Sequence, residues 1–119
     1  EKLGASRVWA VDNDDWCIEN ASENILINHC NYIEIEKVDT VNTTEKFQII
    51  LANINKNIIL ANIHLLRQSF LNNGQLILSG LLKEDEEDIR VAGQLLGLVH
   101  KTTIEKNGWI ACRFSGENL

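Results

Sequence analysis

Hydrophobic and polar positions change their period along the chain, and the changes divide it into elements. Residues 7–12 (Arg-Val-Trp-Ala-Val-Asp) are a short apolar run ending in an acid, the pattern of a strand buried in a parallel sheet. Asn13, Asp14 and Asp15 then offer N-cap side chains, and over residues 16–28 Cys17, Ile18, Ala21 and Ile25 fall on one helical face. Residues 32–38 alternate with period two, which predicts an edge strand with one wet face, and residues 40–46 are a polar loop. Residues 47–54 (Phe-Gln-Ile-Ile-Leu-Ala-Asn-Ile) are almost continuously apolar and predict a central, buried strand.

The second half continues in the same alternation. Over residues 56–71, Ile59, Ile63, Leu66 and Phe70 stand at helical spacing, and Asn72-Asn73-Gly74 stops the helix and turns the chain. A buried strand is predicted at 75–79. A helix over 84–98 follows, with Ile89, Ala92 and Leu96 on one side and an acidic first turn that suits the positive end of the helix dipole. Residues 98–105 and 109–114 flank Asn107-Gly108, a strong hairpin signal. The order strand, helix, strand, strand, helix, strand, helix, hairpin predicts an α/β layered sheet, mostly parallel with one antiparallel strand near the carboxyl end. Residues 1–4 read as a last helical turn closed by Gly4, so natural sequence is expected upstream.

Composition narrows this picture. A chain of 119 residues suits one domain, and 45% hydrophobic with 24% charged residues is the balance of a packed globular protein. The net charge of −6 argues against a surface that tracks nucleic-acid phosphates and suits a basic partner. Cys17, Cys30 and Cys112 are odd in number and form no CxxC pair, so they read as reduced cysteines. No apolar run approaches the roughly 18 residues of a membrane span, and the amino terminus lacks a signal-peptide block. A cytoplasmic protein with no membrane partner is expected.

Two positions draw attention as chemistry. An acid at the carboxyl end of an early strand commonly accepts hydrogen bonds from ribose hydroxyls, about 20 residues beyond a glycine-rich loop; Asp12 stands in that place, and counting back puts the loop upstream of Glu1. Locally, Asp12 is equally consistent with a helix cap shared with Asn13 and Asp14. Asn53 ends the apolar run from Phe47, where open α/β sheets bind ligands, and its amide both accepts and donates, which suits holding an amine. The plain alternative is a cap or turn residue. The acids of residues 84–88 read as a solvated first turn, and His29, His64 and His100 have no Cys, His or carboxylate partner at ligand spacing, so no metal site is expected.

Val11-Asp12-Asn13-Asp14, the Glu19-Asn20-Ala21 and Glu23-Asn24 helix segment, Leu51-Ala52-Asn53-Ile54, and Leu76-Ile77-Leu78-Ser79-Gly80-Leu81-Leu82 resemble, in order and spacing, the PrmA family of ribosomal-protein methyltransferases. The resemblance spans most of the chain. It implies a Rossmann-like S-adenosylmethionine-dependent methyltransferase fold lacking its first strand and glycine loop, so that the chain is a partial catalytic domain. It implies S-adenosylmethionine as methyl donor, Asp12 on the ribose hydroxyls, Asn13 beside the adenosine, and Asn53 near the methionine end and the incoming amine. The implied substrate is a large-subunit ribosomal protein, methylated on lysine and terminal amines. Related amine and amide methyltransferases often carry an Asn-Pro-Pro-aromatic turn where this chain has Asn53-Ile54-Asn55-Lys56.

Two other classes compete. A nicotinamide-dependent oxidoreductase domain would use the same acid, but the terminal hairpin and Asn53 disfavour it. A non-catalytic interaction module would use strand edges left open by the missing strand, which invite dimerisation or bring the strands ending at Asp12 and Asn53 together. Without the glycine loop the piece itself is expected to be inert.

Overall fold

The computed structural model describes residues 1–41 and 43–116. The chain divides into two compact units, Glu1–Val41 and Asn42–Leu119.

The first unit is β1 (Val8–Asp12), α1 (Asp15–Ile27) and β2 (Ile33–Lys37). β1 and β2 pair in parallel from Val8 opposite Ile33 to Asp12 opposite Lys37, as a strand-helix-strand order requires. Ile33 and Ile35 turn inward while Glu34 and Glu36 face water, as the period-two pattern predicts. On that wet side Trp9 Nε1 donates to Glu36 at 2.9 Å and Arg7 pairs with Glu34 at 3.1 Å. α1 ends in a Schellman turn: His29 has φ +54°, its N–H reaches Leu26 O, and the Cys30 N–H reaches Ile25 O. Two expectations change. β1 is half-buried along its whole length, and Cys17 is exposed while Ile18, Ala21 and Ile25 are half-buried. Within this unit a single helix covers the two strands, too little to bury both faces of a strand or a wide stripe of a helix.

The second unit is β3 (Phe47–Asn53), α2 (Lys56–Gln68), β4 (Phe70–Leu82), a short 3₁₀ turn (Lys83–Asp85), α3 (Glu86–Leu95), β5 (Leu98–Lys106) and β6 (Trp109–Gly116). Its sheet has the order β3-β4-β6-β5. β3 and β4 are parallel, and β6 runs antiparallel to both its neighbours. β6 is thus the one reversed strand of this sheet, as expected. β3 was expected to be central and buried; it is instead the end strand, with Ile49 62% and Leu51 72% exposed. A continuous apolar run records that both faces suit burial, but not which neighbours the topology supplies.

The core sits on one face of this sheet. Leu76, Leu78 and Leu81 of β4 and Cys112 and Phe114 of β6 are wholly buried, together with Ile59 of α2 and Ile89 of α3. α2 buries Ile59, Ile63 and Leu66 as its spacing predicts, but it ends at Gln68, and Phe70 is buried as the first residue of β4. The carbonyls left free where the helix ends find partners outside it: Lys46 Nζ donates to Gln68 O, and the Phe47 N–H donates to Ser69 O at 2.7 Å. Arg67 Nε donates to Leu96 O at 3.0 Å and its guanidinium lies 5.9 Å from the Phe70 ring centre, fastening the end of α2 to the end of α3. The turn expected at Asn72–Gly74 is a bend inside β4, where Asn73 has φ +62°. At the β5–β6 hairpin Asn107 and Gly108 both have positive φ, the geometry of a type I′ turn.

Two β-bulges re-aim side chains. In β4, Leu78 lies opposite Cys112 and Leu81 opposite Ile110, so β4 carries one extra residue over Ser79–Gly80. Gly80 has φ +76°, and a Cβ there would lie 2.6 Å from Asn53 Oδ1. In β5, His100 lies opposite Phe114 and Thr102 opposite Arg113, which inserts Lys101. Among the described residues no helix is long and apolar enough to cross a membrane.

Phe114→Ala should cost about 3–5 kcal/mol of stability, because it empties the centre of the core; guanidinium denaturation of variant and parent checks this. Gly80→Ala should cost about 1–2 kcal/mol, since an L residue is forced into a left-handed conformation, and the same denaturation series reads it. An unchanged midpoint for Gly80→Ala would show that the bulge relaxes.

Candidate functional site

β1 delivers Asp12 to its carboxyl end, where the residue is half-buried and its carbonyl accepts the Val38 N–H at 2.9 Å. Asp12 Oδ1 accepts the Asp14 N–H at 3.0 Å. Asp14, in turn, accepts the Trp16 N–H at 2.8 Å and is the N-cap of α1. The cap is therefore Asp14, and Asp12 shapes the strand-to-helix turn with one carboxylate oxygen. Asn13 lies exposed at the tip of that turn. Desolvation, with the negative charges of Asp12 and Asp14 adding to it, pushes the Cys17 thiol pKa up. Cys17 thus stays protonated beside these acids and is a poor nucleophile.

In the second unit Asn53 is the last residue of β3, opposite Ser79 on β4. Capping of the next helix falls to Asn55, whose side chain accepts the Ile58 N–H at 3.0 Å. Asn53 is exposed and is released from that duty. It lies against the β4 bulge, where only a residue without a side chain leaves room for its amide oxygen. The Ser79-Gly80 pair and Asn53, distant in sequence, are therefore one local construction. Lys56, directly after the cap, pairs with Asp88 at 3.2 Å and Asp85 at 3.8 Å. Asp85 Oδ2 also accepts the Leu82 N–H at 2.9 Å, so part of the acidic stretch is structural.

A third grouping escaped sequence reasoning. Glu86, His100 and Cys112 place one ligand-type atom each within 4.8 Å of one another. Fourteen and twelve positions separate them along the chain, so no spacing rule finds them. The nearest signal was the alternation of β6, which turns Cys112 inward together with Phe114.

Comparison with known proteins places these residues in a lineage. Residues 1–117 match the family described as "Ribosomal protein L11 methyltransferase (PrmA)". The chain is 39% identical over 119 residues to a ribosomal protein L11 methyltransferase of Porphyromonas gingivalis, covering 98% of this chain and 41% of that protein. It is 35% identical to the one from Phocaeicola vulgatus, covering 93% and 40%. The chain thus spans about two fifths of the curated relatives it matches. Among solved structures, a ribosomal protein L11 methylase from Lactobacillus delbrueckii subsp. bulgaricus matches with a TM-score of 0.92 at 29% identity, over 98% of this chain and 61% of that one. A methyltransferase from Pyrococcus furiosus shares the fold at 18% identity, TM-score 0.79, over 94% and 64%. The α/β architecture is that of a Rossmann-like methyltransferase domain, in part, and the chain belongs to the PrmA family of ribosomal protein L11 methyltransferases.

Proposed function

We propose that the whole protein is an S-adenosylmethionine-dependent N-methyltransferase that acts on lysine and terminal amino groups of a ribosomal protein in the cytoplasm. Family membership over nearly the full chain is the observation that carries this reading. The side chains suit the cofactor's chemistry. Asp12 is an acceptor-only group at a strand's carboxyl end, matched to the paired hydroxyl donors of a ribose, and its hydrogen bond to the Asp14 N–H holds it in place. Asn13 stands next to it, on the side assigned to the adenosine. Asn53 is the residue assigned to the amine, because its amide oxygen accepts N–H donors and Asn55 has taken over the capping.

The bound cofactor supplies an electrophilic methyl group. The protein's task is then to orient a neutral amine in line with it and exclude water, which is positioning more than acid–base work. Asn53 suits that role because it does not titrate and so leaves the amine's proton balance alone. The chain contains no Gly-x-Gly turn, so on this reading residues 1–119 alone hold the cofactor feebly and are inert.

In calorimetric titrations of the whole protein with S-adenosylmethionine, Asp12→Ala should weaken binding by about 1.5–3 kcal/mol, or roughly 10–150-fold, the range for hydrogen bonds to a charged group. Unchanged affinity would remove Asp12 from the site, and binding of a nicotinamide dinucleotide in place of S-adenosylmethionine would overturn the methyltransferase reading.

A second reading has its own observation. β3 ends its sheet with Ile49 and Leu51 exposed, which supports strand pairing between two copies of the isolated chain. Light scattering should then give a dimer that Leu51→Lys shifts to monomer; a monomeric parent chain would dismiss it.

A further inference from the structure

We propose that Glu86, His100 and Cys112 form a binding site for a borderline-soft divalent cation, zinc above all, that ties α3 to the β5–β6 hairpin. The three donors lie within 4.8 Å of one another, and they come from three different elements of the second unit.

The β5 bulge builds the site. His100 and Thr103 are three residues apart and in a regular strand would point to opposite faces. The extra residue at Lys101 brings both to one face, so that His100 lies opposite Phe114 and Thr103 opposite Cys112. Phe114 and Cys112, two apart on β6, point to that same face, which is the buried one. His100 Nε2 then meets Thr103 Oγ1 at 2.7 Å, and the Thr103 hydroxyl donates to Cys112 Sγ at 3.5 Å. The Phe114 ring meets the imidazole edge-on at 5.4 Å between centres and fixes its plane. From the other side Glu86, the first residue of α3, brings its carboxylate to the pair.

The donor set selects the ion. One thiolate, one imidazole and one carboxylate match zinc and cobalt, whereas magnesium and calcium require oxygen ligands throughout. Zinc bonds of about 2.0–2.3 Å suit donor atoms that already lie within 4.8 Å of one another. A change of Glu86 rotamer can bring its carboxylate onto an ion held by the other two. Cys112 is wholly buried while Glu86 and His100 are half-buried, so an ion enters from their side and keeps one position for water. Binding exchanges the thiol proton for the metal: the S–H bond breaks, the sulfur–metal bond forms, and one proton leaves to solvent. Thr103 remains as a hydroxyl donor to the bound sulfur.

The test is titration of the metal-free chain with cobalt(II), followed by thiolate-to-cobalt charge transfer in the near ultraviolet and the tetrahedral ligand-field bands in the visible. One equivalent should develop both signals, release one proton, and raise Tm. Cys112→Ala should abolish the charge-transfer band. Cys17→Ser should leave it intact. Glu86→Gln, a change at a half-buried helix start that spares the core, should keep the band and weaken cobalt affinity at least tenfold. His64→Ala, on the exposed side of α2, should change nothing. Absence of the charge-transfer band in the parent chain, its persistence in Cys112→Ala, or equal cobalt affinity in Glu86→Gln overturns the site.

Discussion

Everything in the second unit hangs on β4. It is hydrogen-bonded on both edges, to β3 in parallel and to β6 in antiparallel register, and its alternate residues Leu76 and Leu78 are wholly buried. Removing both edges' backbone groups from water leaves them no partner but the ladder, so the strand's register is set by two neighbours at once. That double constraint is what lets a bulge survive at Ser79–Gly80. The bulge shifts the buried position from Leu78 to Leu81 and brings Gly80 against Asn53. The position of Asn53 at the end of β3 thus depends on a glycine in the next strand.

The first unit works on a smaller scale. Its strand pair and one helix leave most side chains half-exposed, and local hydrogen bonds carry much of its definition. Asp12 and Asp14 divide the turn between them, one bonding to the other's N–H and the other capping the helix. Lys37 pairs with Asp15 at 3.0 Å and its ammonium pKa is raised, first by that hydrogen bond and then by the charge of Asp15. Because both partners are more than half exposed, this pair adds little stability. The residues of chemical interest in this unit are therefore held by turn geometry more than by packing.

Local signals survived folding where one short segment decides the outcome. The Asn107-Gly108 turn, the alternation of β2, the α2 face of Ile59, Ile63 and Leu66, and the place of Asn53 at a strand end all needed only near neighbours. The readings that changed involved distant partners. Phe70 kept the helical spacing but opens β4 instead, where it stands opposite Phe47 of β3. β3 kept its apolar run but took the end of its sheet. Glu86, read as one of a run of solvated acids, turned toward His100 and Cys112.

The sequence by itself determined the order of elements, the α/β class with a reversed strand near the end, and the family, through motifs whose order and spacing are one-dimensional properties. Period two and period 3.6 are printed in the chain because side-chain direction follows from the backbone within a few residues. Only the tertiary structure decided which strand edges are paired and which side chains meet across β5, β6 and α3. Those outcomes turn on bulges and on strand pairings between residues far apart along the chain. A single inserted residue such as Lys101 reverses the face of everything beyond it.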